Sequence, residues 1–305
     1  MQDKKLYSTI QVDIDGLWVI EKLLGKELPV EPDPVFDFGL ERLLALLWEF
    51  GIKATFFVVA KDLESPKKVE FLRKLISQGH EIASHGLTHS YLTTITDDEA
   101  RREINGSREK IERTLGIKVS GFKAPGFAAS KPLAGMLEDA GYSYDSSVLA
   151  TSCALLMQQI SKVPYRKMGM LTAPAGPYTP SRDDIFKKGD SGIIEIPVTA
   201  APFIRTPAHF SYMVLGRYPY AGLVRTLLKV SSPRVINFLF HPLDLMEGYS
   251  IDISRKVLGL DVDGEYKLEM ARDMLKFLCR DRNVVTTRAL CEILKEEHGA
   301  KLAAA

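Results

Sequence analysis

The spacing of apolar positions along the chain changes repeatedly between two periods. Tyr7-Ser8-Thr9-Ile10-Gln11-Val12-Asp13-Ile14-Asp15-Gly16 is rich in β-formers, and its period of two predicts a strand with Asp13 and Asp15 on one face of its end. A proline-bearing loop is expected from Trp18 to Pro34. Leu40, Leu43, Leu44 and Leu47 then mark one face of a helix over Phe38 to Phe50, which Gly51 stops. Ala54 to Val59 is apolar without alternation, as in a strand buried on both faces. A helix over about 66–77 leads to a further strand that runs into His85 and His89. Thr96-Asp97-Asp98-Glu99 has the form of a capping box and opens a helix through Ile104, Ile111 and Leu115 that ends at Gly116.

Short strands are predicted over about 119–125, 142–147 and 193–198, with a helix over 132–140 between the first two. A helix at about 221–230 feeds the apolar strand Val235 to Phe240, which ends in His241, and a last helix at about 265–280 precedes a strand at 284–287. This order predicts seven or eight parallel strands joined by crossover helices. Two stretches break the rhythm: about 153–192, with Pro164, Pro174, Pro177 and Pro180, and about 200–218, with Arg205, His209, Tyr212 and Arg217. Loops of that length inside a compact fold are usually functional, and both are assigned to the substrate side. No repeat or linker divides the chain, so one domain over 1–300 is expected, with 301–305 read as a vector-derived tail.

Composition narrows the function classes. A formal charge of +1 over 305 residues argues against a large nucleic-acid footprint or an anionic membrane surface. Cys153, Cys279 and Cys291 have no metal-type spacing, and no run approaches a membrane span or a signal core. The resulting expectation is a cytoplasmic protein without a nucleic-acid partner. Oligomeric state leaves no signal in the sequence.

Chemistry-bearing residues gather at strand ends: Asp13 and Asp15, His85 and His89, Lys123, and His241. In a parallel α/β barrel the strand C-termini form the face where active sites are built. Two carboxylates on one strand end repel unless a cation lies between them or one takes a proton. Two imidazoles four residues apart lie on one face of a helical turn and hold a divalent metal when a third ligand comes from elsewhere. His80, His209 and His298 are read as surface or solvated residues, and the cysteines as small core residues.

Asp13-Ile14-Asp15, His85-Gly86-Leu87-Thr88-His89, Lys123-Ala124-Pro125-Gly126 and Leu239-Phe240-His241-Pro242 resemble, in order, the motifs of the polysaccharide deacetylase family (NodB-like, carbohydrate esterase family 4). The resemblance runs from about Ile10 to Asp244. It implies a distorted or incomplete (β/α) barrel with a divalent metal, usually zinc, with cobalt, nickel, manganese or iron as alternatives. By match, Asp15, His85 and His89 are its ligands and Asp13 is the general base. The implied activity is hydrolysis of an amide C–N bond, deacetylation or deformylation of an N-acylated amino sugar in an oligosaccharide or carrier-linked precursor. A cyclic amide or ureide hydrolase of the allantoinase kind is one alternative, and a carbohydrate-binding module with a decayed site is another. His241 is the natural acid for the leaving amine, and the peptide unit at Gly126-Phe127, after Pro125, is a candidate oxyanion donor.

The chain departs from the family pattern in three ways. Ile14 separates the two carboxylates, Lys123 stands where an arginine usually orients the base, and no Asp-x3-Trp motif is present. Lysine keeps the charge but loses the bidentate fork. Asp145 and Glu195 are left as alternatives to support His241.

Overall fold

The computed structural model describes residues 5–23, 25–151, 171–248 and 259–303. Its centre is β1 (Tyr7–Ile14), buried along its whole length. The other strands of the main sheet are β2 (Thr55–Val58), β3 (Glu81–Ser84), β4 (Gly121–Phe122), β5 (Tyr144–Asp145), β6 (Ile194–Glu195), β9 (Val235–Phe240) and β10 (Asn283–Val284). All pairings in that sheet are parallel. Seven strands run β9-β1-β2-β3-β4-β5-β6 around a curled barrel wall, and β10 pairs with the lower half of β1. The wall is open between β6 and β9. Across that seam Thr199 N–H donates to Asn237 O at 3.0 Å and Leu239 N–H to Ala208 O at 3.2 Å. A small antiparallel hairpin, β7 (Ala200–Ala201) and β8 (Thr206–Pro207), projects between those two contacts. The expected incomplete parallel barrel is thus the observed one.

Helices cover the outside: α1 (Leu17–Leu23), α2 (Glu41–Glu49), α3 (Pro66–Ser77), α4 (Asp97–Leu115), α5 (Leu133–Asp139), α6 (Phe210–Ser231), α7 (Gly264–Cys279) and α8 (Thr287–Ala303). The capping box of α4 forms as read, with Thr96 N–H donating to Glu99 Oε2 at 2.8 Å and Glu99 N–H to Thr96 Oγ1 at 3.3 Å. Alternate residues of β1 serve two environments. Ile10, Val12 and Ile14 join the large core beneath the helices, while Tyr7 joins a second cluster with Phe57, Ala83, Tyr144, Ile196, Val235, Leu290 and Cys291. That second cluster closes the lower end of the lumen, with α8 as its plug.

The plug is held by charge as well as by packing. Thr287 N–H, in the first turn of α8, donates to Thr55 Oγ1 at 2.8 Å, and Arg288 N–H donates to Glu81 Oε2 at 2.9 Å. A carboxylate at a helix N-terminus satisfies donors that the helix itself cannot. Above it the lumen is polar: Thr9 Oγ1 donates to Asn237 Oδ1 at 2.9 Å, Ser146 Oγ to Gln11 Oε1 at 2.9 Å, and Gln11 Nε2 to Thr287 Oγ1 at 3.2 Å. These bonds lock the rotamers directly below Asp13.

Four elements differ from the sequence reading. The loop expected from Trp18 to Pro34 begins as α1, whose two turns are too short to show a helical repeat in the sequence. The helix expected from Phe38 starts as a π-turn over Val35–Leu40 before α2. The loop expected over 200–218 is the β7–β8 hairpin followed by α6, whose start was hidden by Gly216 and Pro219 and whose axis breaks at Arg217 (φ 57°). After β10 the chain forms α8, which was not anticipated. Of the loop expected over 153–192, residues 153–170 lie outside the described residues, Cys153 among them.

β4 and β5 approach so closely that a Cβ on Gly121 would lie 1.9 Å from the Tyr144 ring. Gly121→Ala is therefore expected to lower stability by roughly 1–3 kcal/mol or more through overpacking, measured as a lower midpoint in urea unfolding.

Candidate active site

The lumen face of β1 carries Asp13, and the turn that follows carries Asp15. Lys123, at the end of β4, places Nζ 2.7 Å from Asp13 Oδ1 with both groups buried. Its ammonium also lies 4.2 Å from the centroid of the Phe57 ring. Burial pulls the Lys123 pKa down while Asp13 pulls it back up. The other carboxylate oxygen, Asp13 Oδ2, faces His85 Nε2 at 4.0 Å and His241 Nε2 at 3.9 Å. Asp15 Oδ1 lies 3.2 Å from His89 Nε2 and 3.6 Å from His85 Nε2, and its Oδ2 lies 3.8 Å from His241 Nε2. The structure therefore gathers Asp13, Asp15, His85, His89, Lys123 and His241 at one end of the barrel.

No helical turn joins His85 to His89. The segment is a tight loop after β3, with Gly86 at φ 83° and His89 at φ 58°. A side chain at Gly86 would be strained at that φ and would meet Glu103 Oε2 at 3.3 Å. Glu103, from α4, organises the loop: its Oε2 accepts from Leu87 N–H and Thr88 N–H at 2.9 Å each, and its Oε1 accepts from the Thr88 hydroxyl at 2.5 Å. Gly86 O and Leu87 O accept in turn from Ala60 N–H and Lys61 N–H at 2.9 Å each. The two imidazoles converge because the backbone is pinned from both sides.

The donor atoms fit a divalent cation. His85 Nδ1 lies 2.9 Å from Lys123 O, and a carbonyl requires an N–H there, so the neutral ring turns its Nε2 lone pair toward the carboxylates. Burial keeps that ring neutral, pulling its pKa down to about 4 against the attraction of Asp13 and Asp15. Asp15 Oδ1, His89 Nδ1 and His89 Nε2 are buried without a hydrogen-bond partner among the described residues. Such groups are costly to leave unsatisfied. One ligand atom from each of Asp15, His85 and His89 lies within 4.8 Å of the others, an open three-ligand set of the kind catalytic zinc uses. Burial alone would raise the Asp15 pKa, but His89, His85 and His241 hold it well below the usual carboxylate range.

A second group, His209, His241 and Asp244, is equally close, but His209 Nδ1 and both Asp244 oxygens already accept hydrogen bonds. His209 Nδ1 accepts from Ser211 N–H at 3.2 Å, Asp244 Oδ1 accepts from Ser211 Oγ at 2.6 Å, and Asp244 Oδ2 accepts from His241 N–H at 3.1 Å. This group is a support for His241. Burial would lower the His241 pKa, but Asp244, with Asp15 and Asp13 behind it, pushes it up to about 9.

Several sequence assignments need correction here. Neither Asp145 nor Glu195 supports His241. They face each other across β5 and β6, and Ser147 Oγ and N–H bind Asp145 at 2.6 and 3.1 Å while Val148 N–H binds Glu195 Oε1 at 3.1 Å. Burial raises both carboxyl pKa values, Glu195 further because Asp145 adjoins it. Asp244, three residues past His241, does the work assigned to them, and its spacing on a short helical turn was the available signal. His209 is not solvated: it is buried, with its ring centroid 5.0 Å from that of His241, and burial lowers its pKa to about 3. His80 is half-buried and accepts from Ala54 N–H at 3.1 Å. The His298 side chain lies outside the described residues. The N–H of the Gly126-Phe127 peptide is occupied by Ala124 O at 3.1 Å within a tight turn after Pro125, so it is not a free oxyanion donor. Glu103, Ser211 and His209 were not anticipated as supports, because no local pattern marks them as such.

Residues 35–144 match the family model described as polysaccharide deacetylase. Among curated proteins, the chain is 36% identical over 83 residues to chitin deacetylase 1 of Cryptococcus neoformans, covering 27% of this chain and 17% of that one. The matched segment spans 15% to 26% of the length of the first curated relatives. In fold the chain is similar to a candidate polysaccharide deacetylase from Mycobacterium smegmatis, with TM-score 0.63 at 18% identity over 98% of this chain and 93% of that one. It is similar to Puue allantoinase with TM-score 0.61 at 13% identity, over 96% and 91% of the two chains.

A donor set of this kind predicts that loss of any one donor atom weakens binding of an added divalent cation. Asp15→Ala and His89→Ala are expected to weaken Zn2+ binding by about 100-fold or more, Glu103→Ala by about 10–100-fold as an outer support, and His209→Ala not at all, read by competition with a chromophoric chelator.

Proposed function

We propose, given that the chain belongs to the polysaccharide deacetylase family through residues 35–144, that it hydrolyses the amide of an N-acylated amino sugar in a metal-dependent reaction. The observation that carries the proposal is the convergence of Asp15 Oδ1 with His85 Nε2 and His89 Nε2, flanked by Asp13 on one side and His241 on the other. Asp15, His85 and His89 would hold the cation, zinc by the character of the ligands. A bound divalent cation supplies Lewis acidity, which polarises the amide carbonyl and lowers the pKa of an attacking water.

The chain's own groups supply the proton transfers. Asp13 is the general base: Lys123 engages its Oδ1, which leaves Oδ2 directed into the site to accept the water proton. Lys123 replaces a bidentate arginine with a single contact, and burial against Phe57 restores the missing rigidity. His241 is the general acid that protonates the departing amine, held in place by Asp244 and Ser211. Water is the nucleophile, so no acyl-enzyme forms. The carbohydrate enters from the strand C-terminal face, where the β7–β8 hairpin stands beside the site.

The direct test is release of acetate and free amine from N-acetylated chito-oligosaccharides by zinc-loaded protein. Hydrolysis of allantoin without action on the sugars would instead favour the cyclic-ureide reading. Asp13→Asn is expected to retain zinc and lose about two to four orders of magnitude in turnover. His241→Gln is expected to penalise amides with poor leaving amines most, so that a plot of rate against leaving-group pKa steepens relative to the parent protein.

A further inference from the structure

We propose that Asp33, Lys68 and Asp62 form a buried anchor that sets the position of Asp15, and with it the affinity of the cation site. The inference rests on the metal-dependent reading above. Lys68 Nζ lies 2.6 Å from Asp33 Oδ2 and 2.5 Å from Asp62 Oδ1, and all three side chains are at most 2% exposed. The ammonium also lies 4.3 Å from the centroid of the Phe36 ring.

Each of the three residues after Asp15 is fixed on this cluster. A Cβ on Gly16 would lie 2.5 Å from Asp33 Oδ2 and 3.2 Å from Lys68 Nζ, so only glycine allows so close an approach. Leu17 N–H donates to Asp33 at 3.1 and 3.2 Å from its two oxygens. Trp18 Nε1 donates at 2.8 Å to the Asp62 oxygen that also takes Lys68. The backbone therefore leaves Asp15 along a path with no freedom for three residues, and the carboxylate rotates about a fixed Cα.

Stability alone gives no reason for this chemistry. Burying two carboxylates and an ammonium costs several kcal/mol per ion, and apolar residues of similar volume usually serve a core as well or better. Asp62 bears that cost: burial raises its pKa to about 6 despite Lys68, and its Oδ2 has no partner among the described residues. What apolar residues lack is direction. They cannot receive the Leu17 amide and the Trp18 indole at defined points, and those two bonds fix the chain behind Asp15. The three residues touch no reacting atom; they are positioning residues.

The test replaces the cluster as a unit, with Asp33→Asn, Lys68→Met and Asp62→Leu combined. Zn2+ affinity is measured by chelator competition and thermal unfolding on the metal-free protein. The expected result is an unfolding temperature at or above that of the parent with Zn2+ affinity weakened by about tenfold or more. Unchanged Zn2+ affinity overturns the proposal, whatever happens to the unfolding temperature. Should the triple variant fail to fold, Asp33→Asn decides alone: it keeps an acceptor and the side-chain shape but loses the charge that Lys68 and Leu17 share. Weakened Zn2+ binding in a folded Asp33→Asn supports the anchor, and parental affinity overturns it. A parent protein that binds no Zn2+ overturns the metal reading itself, whereas tight parental binding unaltered in the variants overturns the anchor alone.

Discussion

Two carboxylates set two residues apart at one strand end repel each other in a site that largely excludes water, and most of the upper half of the molecule answers that repulsion. Like charges about 4 Å apart cost several kcal/mol at the effective dielectric of a protein. The answer is divided between the two groups. Asp13 is neutralised from one side by the Lys123 ammonium. Among the described residues Asp15 forms no ion pair with a lysine or arginine and is met by the imidazoles of His85, His89 and His241. This asymmetry separates their proposed roles: one carboxylate keeps an oxygen for proton transfer, and the other is left to bind a cation.

The same logic explains why so much of the support is polar. Glu103 gathers the amides of the histidine loop, Asp244 and Ser211 gather His241, and Glu81 caps the helix that plugs the lumen. Each uses a buried acceptor to fix backbone donors that would otherwise be orphaned. Hydrophobic packing supplies the wall and the floor of the barrel, but it has no directionality with which to aim an imidazole. Direction comes from hydrogen bonds anchored on the helical layer and aimed inward at the strand ends.

The sequence revealed the strands and the charged residues at their ends, because both depend on local pattern. The period of β1, the unbroken apolar run of β2 and the box at Thr96 each reflect the residue's immediate neighbours. Elements governed by distant contacts were harder to read. α8 has a weak apolar stripe, and its position is set by Glu81 and Thr55 far away in the chain. α6 carries Gly216 and Pro219, which imitate a loop, and it continues through a break that packing against α7 tolerates. Within the site, side-chain identity pointed to the six convergent residues, and their partners escaped notice. Asp145 and Glu195 looked like plausible supports because they too end strands; only the geometry separates a carboxyl pair that binds itself from Asp244, which reaches His241.

The seam between β6 and β9 has a consequence for how such a molecule diversifies. The β7–β8 hairpin leaves and rejoins the wall through backbone bonds at Thr199 and Ala208, both made to β9. Its tip, Phe203 to Arg205, is therefore tethered at its two roots and by the Arg205 guanidinium to the carbonyls of Leu171 and Ala173. Insertions at that tip would lengthen an overhanging rim without passing strain to the strand that ends in His241. The fold thus separates two inheritances: a rigid cluster of side chains written into the strands, and a variable rim grafted onto a place where the wall was never sealed.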